Sequence, residues 1–133
     1  MFRSSGAYGA VLAALAVLAC GETTVIGPAN QLEVANVADN FQLQVSNLDK
    51  VSQTLQYTWV NTGVQANINQ SSALTGGSAT VTIKDNAGTQ VFNSSVSPNG
   101  TTVSTAGTAG NWTIQLVLDK AAGTINFRVQ KKT

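Results

Sequence analysis

The sequence predicts an all-β protein: a two-sheet antiparallel β-sandwich of about eight strands that follows a cleaved leader and a short tether. Three observations carry this. Apolar side chains recur at every second position in short runs between Phe41 and Val129, the period of a half-buried strand. Clusters of Asn, Asp, Gly and Pro separate the runs and reverse the chain. No stretch after Cys20 has the i, i+3, i+4 spacing of an amphipathic helix. A single sheet would leave one face without a partner, so two are expected.

Residues 20–38 read as an anchor and flexible tether, broken by Gly27-Pro28, with the sandwich occupying 39–133. The alternative is that Leu32 and Val34, which alternate with polar neighbours, form a short edge strand. Phe41, Leu43 and Val45 make the first clear strand, and Asn47-Leu48-Asp49-Lys50 is a turn. Leu55, Tyr57 and Trp59 form the next face, ended by Asn61-Thr62-Gly63; Val64, Ala66 and Ile68 return. After Gly76-Gly77 come Ala79, Val81 and Ile83, then a type I turn at Asp85-Asn86-Ala87-Gly88 with the glycine left-handed. Thr89–Val96 is less regular, because adjacent Val91 and Phe92 must face opposite sides unless a bulge intervenes. Ser97–Gly100 turns into Thr101–Ala106. Gly107–Gly110 opens the strand bearing Trp112, Ile114, Leu116 and Leu118, and Asp119–Gly123 leads to Ile125, Phe127 and Val129.

If every strand crosses the sandwich, Trp59 and Trp112 share a core layer at one end, with Leu116 and Phe127 deeper or adjacent. With the tether entering at Phe41, that end is the membrane-near one and also holds Lys131-Lys132. The turns bearing Asn47, Asp49, Lys50, Asn99, Asp119 and Lys120 then lie at the far end and are the candidate ligand-binding loops.

The leader, residues 1–19, has a cationic start at Arg3 and an apolar run from Ala7 to Ala19, about 13 residues and too short for a membrane span of roughly 20. Val17-Leu18-Ala19-Cys20 resembles the lipobox of bacterial lipoproteins, although Leu18 is larger than is usual there. That resemblance implies acylation of Cys20, cleavage before it, and a place in the cell envelope. Gly21, where an aspartate would favour the inner membrane, implies the outer membrane. Cys20 is the sole cysteine and has no intrachain disulfide partner. Losing Arg3 leaves six basic and six acidic side chains, so no basic face for nucleic acid is expected.

Tyr57-Thr58-Trp59, Asp85-x-x-Gly88-x-x-Val91 and Gly107-Thr108-Ala109-Gly110-Asn111-Trp112-Thr113-Ile114 resemble the small β-sandwich modules of pre-peptidase C-terminal domains, CUB-like domains and lipoproteins of unassigned function, over roughly residues 40–130. The resemblance implies a fold; the clustered acids of its calcium-binding members are missing. With no histidine, Ser-His and Cys-His pairs and imidazole metal sites are excluded. Asp39, Asp49, Asp85 and Asp119 each sit at a predicted strand end, where turn chemistry accounts for them. No catalytic residues, cofactor or metal ligands are therefore expected. Trp59 and Trp112 belong to alternating apolar sets and read as core; a sugar-stacking platform with Tyr57 is the alternative. The function expected is a non-catalytic, lipid-anchored binding or accessory module meeting a glycan, peptide or protein. A structural envelope or assembly protein is the alternative, to be favoured by a long apolar edge strand, as an exposed aromatic cluster would favour binding.

Overall fold

The computed structural model describes residues 24–133. The predicted signal peptide 1–19 and Cys20 lie outside the described residues. A short 3-10 turn, Pro28–Asn30, is followed by seven strands: β1 (Glu33–Val37), β2 (Asn40–Asn61), β3 (Ala66–Gln70), β4 (Ala73–Lys84), β5 (Gln90–Ser95), β6 (Gly100–Val103) and β7 (Gly110–Lys131). All pair antiparallel in one open hydrogen-bonded sheet, so the all-β expectation holds.

The sheet becomes two layers because its longest strands fold. β2 and β7, each 22 residues, pair from Asn40↔Gln130 to Asn61↔Gly110. Their register shifts between Val45 and Gln53, where Asn47, Lys50 and, on β7, Lys120 take left-handed φ values of 53°, 54° and 51°. Extra residues of this kind bend a strand and tighten its twist. The result is a doubled-back ribbon. Phe41 and Tyr57 would stand about 50 Å apart along a straight strand, yet their ring centroids are 5.4 Å apart. Asp39 N–H donates to the Val60 carbonyl at 2.9 Å, joining the two ends of β2. β3 and β4 follow β7 in succession, pairing from Ala66↔Lys131 to Lys84↔Thr113. At their fold Gly77 (φ 67°) lies against the Lys120 carbonyl, where a Cβ would collide with backbone.

One layer thus holds β1, the first arm of β2, the second arm of β7, β3 and β6; the other holds the remaining arms with β4 and β5. Two structural expectations need correcting. The turns expected at Asn47–Val51 and Asp119–Gly123 are folds inside continuous strands. The stretch to residue 38, expected as flexible tether, is ordered from Thr24: Thr24 bridges Val51, and β1 pairs with β2 from Glu33↔Gln44 to Val37↔Asn40. The seven strands, two of them folded into two arms, therefore make nine crossings instead of about eight.

Alternation fills the space between layers. Phe41, Leu43, Val45, Ile68, Val81, Ile83, Ile114, Leu116, Ile125 and Val129 are fully buried, and Phe127 nearly so. Trp59 and Trp112 are register partners, both fully buried, with ring centroids 5.9 Å apart at 87°. This edge-to-face geometry suits the ring quadrupoles. Each indole N–H leaves the core for a backbone carbonyl, Trp59 to Val37 at 3.0 Å and Trp112 to Thr108 at 2.8 Å. The predicted core layer is present, and both rings are core. The irregularity at Val91-Phe92 is a bulge opposite Ile83/Lys84 that turns Val91 and Phe92 both toward the core.

Candidate functional site

The nine crossings give two unlike ends. The folded end carries the bends of β2 and β7 and the glycines of β4; the open end carries the loops 38–39, 61–65, 85–89 and 104–109 with Lys131.

Most of the predicted site residues lie at the folded end. Asn47, Asp49 and Lys50 occupy the bend of β2, and Asp119 and Lys120 the adjoining bend of β7, where the Lys120 N–H donates to the Ser52 hydroxyl at 2.9 Å. Asn99 is nearby in the β5–β6 connection. Two of the six are structural: Asn47 Nδ2 donates to the Ala29 carbonyl at 3.3 Å, and Asn99 Oδ1 accepts the Ser72 N–H at 2.8 Å. Asp49, Lys50, Asp119 and Lys120 are exposed, two of each sign.

The sequence reading sets these loops opposite the point where the chain enters the sandwich; with one strand more than was counted, they lie beside it. The chain enters here. Ser52 N–H donates to the Thr24 carbonyl at 3.0 Å and Ile26 N–H to Gln53 Oε1 at 2.9 Å. Buried Asn30 donates to the carbonyls of Ser46 and Asn47 at 3.0 and 2.8 Å, while its own oxygen accepts the Gly27 N–H. Strand β1, the edge strand offered as the alternative to a tether around Leu32 and Val34, then carries the chain to the opposite end.

At the open end two carboxylates hold the loops. Asp85, 5% exposed, accepts N–H groups from Ala87 (3.0 Å) and Thr89 (2.8 Å) on one oxygen and from Thr108 (2.8 Å) on the other. The Thr108 N–H first, then that of Thr89, holds its carboxyl below the usual range. The predicted turn is there, with Gly88 at φ 85° and its N–H on the Asp85 carbonyl at 3.0 Å. The reach of Asp85 across to Thr108 was not predicted. Asp39 accepts the Thr62 N–H at 2.8 Å and the Thr62 hydroxyl at 2.9 Å, and pairs with Lys131 at 3.7 Å. The Thr62 N–H is the main cause of its lowered pKa, with the Thr62 hydroxyl and Lys131 adding. These acids brace backbone, which is a different task from proton transfer.

Of the exposed apolar side chains, Val37, Val60 and Val64 belong to the open end. Tyr57 and Phe92 are half-buried and pack on the core. A surface recess of about 170 Å³ on the outer face of β1 and β2 is lined by Glu33, Val34, Ala35, Gln42 and Gln44. It is below the several hundred Å³ usual for a small-molecule site. Among the described residues, no three His, Cys, Asp or Glu side chains gather as metal ligands, and no helix is long and apolar enough to cross a membrane.

No protein-family model and no curated protein matches the chain. Among solved structures it is similar to the arabinose-bound MgGH51 α-L-arabinofuranosidase, with 20% identity over 75% of this chain and a TM-score of 0.34. The match spans 22% of the arabinofuranosidase, and at that score it says nothing of activity.

Proposed function

We propose that the protein is a lipid-anchored component of the bacterial cell envelope, held at the outer rather than the inner membrane, acting as a non-catalytic binding or accessory module. The observation that carries this is Val17-Leu18-Ala19-Cys20 after an apolar leader, followed four residues later by Thr24, which is tied to the sandwich. A lipid-modified cysteine would then be joined to a rigid all-β body with hardly any leash. Supporting the non-catalytic reading, Asp39 and Asp85 are occupied in bracing loops. A partner would meet polar strand faces and open-end loops, so a protein, peptide or extended glycan suits the surface better than an enclosed small molecule. The alternative, a structural envelope protein without a small ligand, is favoured by the small volume of the recess on β1 and β2.

Cys20→Ser tests the anchor. Growth with a labelled fatty acid should mark the wild-type protein and leave the variant unlabelled and released from membranes. Equal labelling of both would sink the reading.

A further inference from the structure

We infer that the folded end, comprising the bends at Asn47–Lys50 and Asp119–Lys120, docks on the phospholipid headgroup surface, and that the open end is the face presented away from the membrane. This rests on the proposed acylation of Cys20.

The length of chain before the ordered domain decides it. Thr24 is bridged to Val51 and its carbonyl holds the Ser52 N–H. Ile26 and Asn30 fasten the next turn to Gln53, Ser46 and Asn47. From Cys20 to Thr24 there are four Cα steps, which span at most about 14 Å. The first arm of β2, from Asn40 to the bend at Asn47, extends about 23 Å toward the opposite end. A leash shorter than the body it holds cannot place the open end on lipid while the acyl chains stay inserted. Charge does not compete with this constraint, because Lys50 and Lys120 are offset by Asp49 and Asp119 on the same bends. The docking is therefore geometric, and added salt should leave it unchanged. Lys131 and Lys132, expected near headgroups when β1 was read as tether, stand at the outer end.

The test uses the full acylated protein in phosphatidylethanolamine/phosphatidylglycerol vesicles, with intact mass establishing the state of Cys20. Asp49→Cys and Asp119→Cys place a fluorophore at the folded end; Ala87→Cys and Lys132→Cys place it at the open end. All four positions are exposed, so the variants should fold. A headgroup-bound quencher should reduce emission several-fold more at positions 49 and 119 than at 87 and 132. Inserting ten Gly/Ser residues after Gly21 should erase most of that difference. Equal quenching in the parent, as for a domain lying on its side, or stronger quenching at 87 and 132, overturns the docking and leaves the anchor standing. An unmodified Cys20 overturns both, and the mass distinguishes the two failures.

Discussion

At the folded end the chain changes direction inside its strands, whereas at the open end it leaves the sheet and returns through loops. The bends of the folded end are made by backbone geometry, through three side-chain-bearing residues in left-handed conformation, register shifts on paired strands and Gly77 against a carbonyl, while Asn30, Asn47 and Asn99 tie neighbouring turns to them. The open end is built from side chains: two carboxylates, two indole N–H groups and Asn61, whose Oδ1 accepts the Gly63 N–H at 2.8 Å. A bend made of backbone tolerates changes of surface chemistry but not of volume or chirality. Loops held by side chains tolerate some insertion but depend on the state of a few polar atoms.

The largest effect should come from the core layer beneath the open end. Trp59→Ala or Trp112→Ala should each cost about 3–5 kcal/mol, because each removes a fully buried ring and leaves its partner facing a void. Chemical denaturation reads this directly; a loss below about 1 kcal/mol would mean that the indoles do not form the layer described.

Next is Gly77→Ala against Gly88→Ala, which sets one end against the other. Both glycines have positive φ, but a Cβ on Gly77 meets the Lys120 carbonyl, while one on Gly88 meets open space. The Gly88 variant should lose about 1 kcal/mol. The Gly77 variant should lose more, about 2–4 kcal/mol, since strain adds to a backbone collision. Equal losses in thermal melts would remove the distinction between the ends.

Acid should act on the open end first. Asp85 and Asp39 have folded pKa values below those of the unfolded chain. Their contribution is complete above the unfolded value of about 3.9 and is lost as pH falls through the lower folded values. Melting temperature should therefore drop on going from about pH 5 to pH 2. Asp85→Asn should lower it at neutral pH and flatten the acid dependence. A variant as acid-sensitive as wild type would show that other groups govern it.

The smallest effect belongs to the Asp39–Lys131 pair. Lys131→Ala should shift the melting temperature by little more than its uncertainty, and less in salt, because the contact is long at 3.7 Å and about a third of each side chain stays open to water.

The alternation that makes a strand half-buried is a local property. Hence Phe41–Val45, Leu55–Trp59, Ala79–Ile83, Trp112–Leu118 and Ile125–Val129 were all legible, as was a core layer shared by Trp59 and Trp112 at one end, though not their pairing in register. The topology was less so. Asn47-Leu48-Asp49-Lys50 has the composition of a hairpin turn, and what makes it a fold is that β7 accompanies β2 round the bend. That information lies some seventy residues away in the sequence. The β1 segment, Glu33–Val37, is mostly exposed, so its alternation is weak and its pairing with β2 has to be seen. The candidate loop residues were placed together correctly, yet one uncounted strand reversed their relation to the point of entry. Asp85 was read as a turn residue, and its second role at Thr108 depends on a contact 23 residues distant.

β7 has a further consequence, in the order of events during synthesis. It comes after the other six described strands in chain order, and it pairs with β2, β3 and β4. Until residues 110–131 have emerged, β2 runs through both layers without the partner that accompanies it round the bend, and the described partial chain has the β1–β2, β4–β5 and short β3–β6 pairings. Contacts this distant form late, because a long loop must be closed before they yield any gain. The two layers are thus kept from closing on each other until the strand at residues 110–131 is available, so the order of synthesis sets the order of folding.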